Sequence, residues 1–536
     1  MIPSKPIHLG TLFDDLTMRG STTAVRLSRP LDIAPEVGVE LDVPGARALV
    51  RRICGWFAQA GVRSGDRVAI AKRNHWDYVL LACAAARMGA VPVSLSAHLA
   101  PQALATLLRR AEPALLVTDT ALLRGARDAG HDPSLHAART LVVDGAVEGA
   151  LTLDDVRGGS APSPRRPHLD APLAIMHTSG TTGTPKLAVH STRTIMRRLA
   201  GFESHRWPIL GSRRDDTVTS SISVAHGRAL AWTAGVLWLS PYAISVITSP
   251  DLEEAGPALR LHRPTVLEAQ PATLARWQRH LDQEGPREGL RNVRLFVSTF
   301  DAVHPSTVRT FLDASERRAP VWMQGWGQSE TGPLTFRFLT RRSLSRRQGV
   351  GATTRDLGRP IPGRTRLRAV DPRTLSPLPP GEPGLLFCRT EALCLGYVGE
   401  EGRWRDKFVG PWWSTGDVGS IDRTGAVRLL DREVDALTEG GCLEIEDVVD
   451  ERLAGVLECV VLGVAEGPPV PVVATEDGTL DLGEWKKAVE DLPTMADPMV
   501  LTWDELPCTG TGKVRRGALR EKLGLPAGGR GTGRWT

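Results

Sequence analysis

No stretch of roughly 18 apolar residues runs free of charge through these 536 residues, so no membrane-spanning helix is expected. The opening MIPSKPIHLGTLFDDLT lacks the long apolar run of a secretory leader, and the cytoplasm is the expected location. Cysteines are few and scattered, seven in all at 54, 83, 388, 394, 442, 459 and 508. No CxxC pair occurs and the number is odd, so inert thiols are expected rather than a zinc site or a disulfide framework. Excess charge of one sign is lacking too. The 66 basic and 61 acidic residues leave +5, which gives no electrostatic footprint for nucleic acid. Only three tyrosines stand beside abundant Arg, Ala and Gly, a bias of codon usage rather than of chemistry. There is no internal repeat. What is present, 41% hydrophobic and 24% charged residues, is the balance of a globular chain. At roughly 100 to 200 residues per domain, this length calls for two or more folded units.

The first half alternates apolar runs with helical patterns. VAIA reads as a buried strand, Asp77 to Met88 as an amphipathic helix, and AVPVSL as the next strand. LRRAEPALLVTD and HAARTLVVDG repeat that rhythm, which argues for an α/β fold of parallel sheets flanked by helices. Residues 156–172 form a polar Pro/Gly-rich loop. Near residue 430 the pattern shortens: EIEDVVDERLAGVLECVVLGV predicts a helix then a strand, and WKKAVEDL and RRGALREKL two more helical pieces. A large domain over 1–431, a small mobile α+β domain over 432–526 and a flexible Gly-rich tail over 527–536 are expected.

The segment AIMHTSGTTGTPKLAVHS follows a strand end with glycines, hydroxyls and one lysine. Gly180 and Gly183 permit the positive φ angles and close backbone approach that phosphate oxygens need. Thr178, Ser179, Thr181, Thr182 and Thr184 offer hydroxyl donors and Lys186 a positive charge. It is not a Walker loop, which needs four residues between its glycines and a Lys-Ser/Thr pair.

TSGTTGTPK resembles the signature of the adenylate-forming (AMP-binding) superfamily of acyl- and aryl-CoA synthetases, peptide-synthetase adenylation domains and luciferases. Further blocks follow in that family's order over nearly the whole chain. The resemblance implies ATP as cosubstrate, held at Thr178, Ser179, Gly180, Thr181, Thr182, Gly183 and Lys186. In SVAHGRALAWTAG it sets His226 in the acid pocket near the carboxyl group, the bland alternative being a core histidine. Arg228 either pairs with a second negative charge on the substrate or sits at the surface. Trp232, Gln270, Ala272 and Phe300 complete the pocket candidates. In VSTFDAVHP, Phe300 and Asp301 frame adenine. In GWGQSETGPL, Gly327, Gln328 and Ser329 lie beside the nucleotide, Trp326 stacks on adenine and Glu330 binds magnesium, which prefers a carboxylate together with phosphate oxygens. In WWSTGDVGSID, Asp417 takes both ribose hydroxyls, because a carboxylate accepts two hydrogen bonds at once. In LPCTGTGKVRRGALR, Lys513 is the catalytic lysine that offsets charge at the α-phosphorus.

Two blocks depart from the family. The hinge, placed near Arg432 to Asp435, reads DREVDALTEGG and keeps Arg432 and Gly441 but not the opening glycine or the later lysine. VSTFDAVHP lacks the glycines that many relatives carry there. The leading expectation is therefore a free-standing ligase that adenylates an acid and transfers it to coenzyme A. The alternative keeps adenylation but takes an unusual acid, nitrous acid included, with a carrier-protein thiol or an amine as acceptor. A luciferase-like oxidoreductase and a non-catalytic nucleotide binder rank lower. The basic run TRRSLSRRQG reads as a solvated loop rather than a phosphate contact.

Overall fold

The computed structural model describes residues 7–178, 185–281, 286–299, 303–345, 355–432, 442–453, 455–464, 467–509 and 513–525. Among these residues the strands form three sheets, of fourteen, seven and three members.

The alternation of the first half produces the parallel pairing it predicts. Strands Arg67–Lys72, Val91–Ser96, Leu115–Thr118 and Thr140–Val142 run parallel in the seven-stranded sheet, with Pro172–His177 beside Val91–Ser96. Each crossover carries a helix, which is how a strand re-enters its sheet in the same direction. Helix Asp77–Arg87 differs from the amphipathic expectation, because all eleven of its residues are buried. Its alanines give a slim profile that fits between helix Val43–Gln59, the adjoining sheet and helix Gly227–Trp238.

In the largest sheet, strands Ala24–Leu27, Ala243–Val246, Thr217–Ser221, Val266–Ala269, Leu295–Ser298 and Val321–Gln328 lie parallel in that order. Beyond Val321–Gln328 the pairing turns antiparallel, through Gly332–Leu339 to Trp412–Ile421 and Gly384–Thr390. Ligands of such sheets bind beyond the carboxyl ends of the parallel strands. Here Thr299 and Gln328, at two of those ends, line one cavity with His177 and Thr178 of the other sheet.

The carboxy-terminal segment has its own three-stranded sheet, Glu458–Leu462, Val470–Thr475 and Met499–Thr502. Alternate residues serve two cores: Cys459, Val461 and Val473 pack toward helix Cys442–Arg452, and Val460, Leu462 and Val472 toward Leu506 and Leu519. The helical pieces expected around WKKAVEDL and RRGALREKL are Leu482–Ala488 and Arg516–Lys522. The hinge expected near Arg432 to Asp435 lies outside the described residues apart from the backbone of Arg432, and the tail 527–536 lies wholly outside them. No helix among the described residues is long and apolar enough to cross a membrane. Six of the seven cysteines are buried, and burial pushes the Cys54 and Cys388 thiols up to about 12, as expected of inert thiols.

Helix Cys442–Arg452 docks on helix Pro305–Ala314 through charge. His304 Nδ1 stands 3.4 Å from Asp447 and 3.8 Å from Asp450, Ser306 donates to Asp450 at 2.7 Å, and Arg309 pairs with Glu451. Burial alone would depress the imidazole, but Asp447, Asp450 and Glu458 outweigh it and raise the pKa to about 10. A raised pKa stabilises the folded state fully below the unfolded value near 6.5, and that stability is lost as pH climbs toward 10. The melting temperature of the wild type should therefore fall between pH 7 and 10, and that of His304→Gln should fall less steeply. Parallel curves would show that His304 is not the titrating group.

Candidate active site

Strand Pro172–His177 ends at the glycine-rich loop, and strand Leu187–Ser191 returns antiparallel beside it. The loop is pinched at its base: the Thr178 N–H donates to the Lys186 carbonyl at 2.9 Å, and the Lys186 N–H to Thr178 Oγ1 at 3.1 Å. Ser179, Gly180, Thr181, Thr182 and Gly183, like Phe300 and Asp301, lie outside the described residues. The Lys186 ammonium stands 5.2 Å from the centre of the Tyr397 ring, whose hydroxyl donates to Glu330 Oε1 at 2.6 Å. Tyr397 thus spaces a cation from an anion, and both Lys186 and Glu330 line a cavity of about 300 Å³.

Glu330 reaches that cavity because strands Val321–Gln328 and Gly332–Leu339 turn tightly about it. A Cβ on Gly327 would stand 2.1 Å from the Gly332 carbonyl oxygen, and Gly332 itself has φ of +62°. Gln328 then donates through Nε2 to the Thr415 carbonyl at 2.6 Å and to Asp417 Oδ2 at 3.1 Å. Gln328, Ser329, Glu330 and Thr415 line the cavity, with Asp417 buried just behind. Trp326 does not line it, contrary to the adenine-stacking expectation. It packs among Leu357, Leu386 and Val427 and against Leu334 and Trp413. Arg432 stands opposite Asp417 in the backbone register of their strands.

Two histidines meet at Ser329 and a third lines the same cavity. His190 contacts Thr194 Oγ1 at 3.0 Å and the Ser329 carbonyl at 2.8 Å, and His177 and His226 line the cavity. His226 caps helix Gly227–Trp238, its Nδ1 accepting the Arg228 N–H at 3.1 Å. A backbone N–H can only donate, so the ring proton is assigned to Nε2, which lies 3.2 Å from Ser329 Oγ. Burial, reinforced by His177, Lys513 and Arg228, pushes the His226 pKa down to about 3, so the ring is neutral at physiological pH. Gly227 lies against the Met176 side chain, where a Cβ would stand 2.1 Å from Sδ and the thioether would have to move.

Arg228 lies in the cavity wall rather than at the surface, yet its charge is already engaged. Nε and Nη2 form two 2.8 Å bonds to Glu268, and Nη1 donates to Glu203. This corrects the expectation that Arg228 awaits a second anionic group on the substrate. Trp232 lines the cavity with Leu199, Phe202, Val236 and Phe336, whereas Gln270 and Ala272 do not. Gln270 is buried, with its Nε2 making no hydrogen bond to the described residues. Sequence reasoning missed Glu203, Glu268, Tyr397 and the two further histidines. Only Glu268 carried a local signal, a charge inside the wholly buried strand Val266–Ala269.

Lys513 enters the cavity from the carboxy-terminal segment, with Cys508, Thr509 and Arg515. The Thr509 N–H donates to the Lys513 carbonyl at 2.7 Å, the Lys513 N–H to Thr509 Oγ1 at 3.1 Å, and the Arg515 N–H to the Pro507 carbonyl at 2.6 Å. The carboxy-terminal segment is thus closed over the same space that Lys186, Glu330 and His226 line.

A cavity between two parallel sheets, with a glycine-rich loop at one strand end and a lysine brought in from a small terminal unit, defines a nucleotide-using ligase. Residues 45–398 match the family of AMP-binding enzymes, and the chain belongs to it: it is an AMP-forming acid ligase that uses ATP. It is 37% identical to the 3-amino-2-hydroxy-4-methoxybenzoate diazotase of Streptomyces cremeus over 98% of this chain and 97% of that one. It is 28% identical to the 3-hydroxybenzoate–CoA ligase of Aromatoleum sp. (strain CIB), over 89% of this chain and 90% of that one. Its fold is similar to that of the anthranilate CoA ligase AuaEII in complex with anthranoyl-AMP. The TM-score there is 0.79 at 20% identity, covering 98% of this chain and 99% of that one.

Proposed function

We propose that this enzyme adenylates nitrous acid and delivers the nitrosyl group to an aromatic amine, forming a diazo product. The observation that carries this reading is the full-length 37% identity to the diazotase, against 28% to the aryl-CoA ligase. A nitrite oxygen attacks the α-phosphorus of ATP and pyrophosphate leaves. The amine nitrogen then attacks the nitrosyl nitrogen, the N–O bond to AMP breaks, and the amine loses a proton. Protonation and loss of water from the resulting N-nitroso amine leave the diazonium group.

The first step brings two anions together, so positioning and charge neutralisation supply its rate. Thr178 and Lys186 would hold the phosphates, Lys513 would face the α-phosphate, and neutral His226 would hold an acid oxygen through Nε2–H without adding charge. Glu330 suits magnesium, because Tyr397 takes only Oε1 and leaves the second oxygen without a hydrogen-bond partner among the described residues. No three His, Cys, Asp or Glu side chains among those residues gather as a metal site, so the ion would complete its shell with phosphate oxygens and water. Bound there, magnesium supplies charge neutralisation to the triphosphate. Asp417, oriented by Gln328, would take the ribose hydroxyls. Asp417→Ala should then weaken ATP binding by ~2 kcal/mol, about thirtyfold in Kd by calorimetry, and an unchanged Kd would remove Asp417 from the ribose site.

The second reading, an aryl carboxylate passed to coenzyme A, is favoured by the likeness to the 3-hydroxybenzoate–CoA ligase. Pyrophosphate release with MgATP separates the two. Nitrite should drive it, and an added aromatic amine should yield a diazo product that couples to a naphthol as a coloured azo dye. Release driven by a benzoate, with a CoA thioester and no response to nitrite, would overturn the proposal.

A further inference from the structure

We infer that Glu203, held in the cavity wall by Arg228, is the recognition point for an N–H donor on an aromatic ligand, namely the amino group of the acceptor amine. The naming of that amine as acceptor rests on the diazotase reading, but the recognition itself does not.

Two carboxylates share one guanidinium here. Glu268 is 2% exposed and has both oxygens occupied, each by Arg228 and Oε1 also by the Thr299 hydroxyl at 3.4 Å. Glu203 is 21% exposed, lines the cavity, and takes a single hydrogen bond from Arg228 at Oε1. Its Oε2 accepts none from the described residues. The cluster therefore carries one surplus negative charge and one acceptor oxygen to spare.

The surroundings of that oxygen are those of a ring-binding slot. Leu199, Phe202, Ala231, Trp232 and Phe336 line the same cavity, with the Phe202 and Phe336 rings stacked at 5.8 Å and 26°. Helix Gly227–Trp238 makes room for the carboxylate at Gly235. A Cβ there would stand 2.8 Å from Glu203 Cβ and 3.5 Å from its Oε2. An acceptor oxygen in an apolar wall is costly while unpartnered, and a ligand donor removes that cost. A ring amine brings N–H donors. A methoxy group at the same position brings only an acceptor, and a carboxylate brings a like charge. Burial, with Glu268 adding to it and Arg228 opposing it, raises the Glu203 pKa, so the group holds a donated proton more tightly than a surface carboxylate would.

Arg228 and Glu268 act here as positioning residues. Because Arg228 can only donate, it must keep an oxygen of residue 203 facing it. In Glu203→Gln it would take the amide oxygen and turn the NH₂ toward the ligand.

Binding of 3-aminobenzoate, 3-methoxybenzoate and benzoate to the full chain, measured by calorimetry, tests the proposal. The wild type should bind the amino compound about tenfold more tightly than the methoxy compound. Glu203→Gln should abolish or reverse that preference, whereas a merely structural role would weaken all three ligands alike. A wild type that binds amino and methoxy ligands equally, or a Glu203→Gln variant that keeps the preference, overturns the inference. The wild-type comparison stands alone should the variant not fold. Failure of nitrite to drive pyrophosphate release, with the preference intact, overturns the diazotase reading and supports this site.

Discussion

Lys513→Ala should lower pyrophosphate release by about 10²- to 10³-fold, the cost of removing one preorganised group that meets charge developing in a transition state. The Kd for ATP should change far less, because Lys186, Gln328 and Thr178, the nucleotide contacts proposed above, line the cavity independently of it. The expectation rests on where Lys513 starts and what it reaches. Its backbone is bound on both sides to Thr509, and the Pro507–Arg515 bond closes the turn behind it. Its side chain lines the cavity with His226, close enough for its charge to help hold that imidazole neutral. A cation in a partly enclosed, low-dielectric space offsets the approach of two anions far more than it would in water. Rates within tenfold of the wild type would mean that the closed arrangement is not the one in which adenylation occurs.

Arg228→Met should cost about 3–5 kcal/mol of stability, since it leaves two neighbouring carboxylates buried without their cation. Glu268 would lose its two bonds from Arg228 and keep only the one from Thr299, and Glu203 would lose its single donor. The Glu203 carboxyl, whose pKa burial and Glu268 already raise against Arg228, would then resist ionisation still more. A raised acid pKa makes the folded state bind more protons than the unfolded one. The deficit should therefore be smallest in mild acid and grow as pH rises through the Glu203 pKa. Urea midpoints of wild type and variant at pH 5 and pH 8 measure this. Restoring neutrality with Arg228→Met combined with Glu203→Gln and Glu268→Gln should recover part of the loss. An unaltered midpoint in the single variant would mean that the network relaxes or hydrates at no cost.

Much of the site was legible as motifs because each motif is local. A strand end followed by Thr178 and closed by Lys186, or a turn around Gly327 that presents Glu330, needs only a few consecutive residues to take one shape. The alternation of apolar runs with helical periods likewise foretold the parallel sheets. Helix Asp77–Arg87 escaped its description because amphipathicity assumes one wet face, and neighbours cover every face of this helix. Trp326 was assigned to adenine from its place in a motif, but which face of a strand meets the ligand depends on what packs behind it. Glu203 and Glu268 lie far from Arg228 along the chain and show no shared pattern with it.

The sequence by itself therefore determined the class of enzyme, the α/β fold of parallel sheets flanked by helices with a small α+β part after it, and the order in which the motif segments occur. Only the tertiary structure decided that Arg228 is spent on two internal carboxylates, that Glu203 lines the cavity with one oxygen bonded to Arg228, and that Lys513 meets His226 in one cavity. The reason is physical. Local shape follows from neighbouring residues through φ/ψ preference and hydrophobic period, whereas the charge a side chain has left for a ligand depends on partners that folding brings in from distant segments.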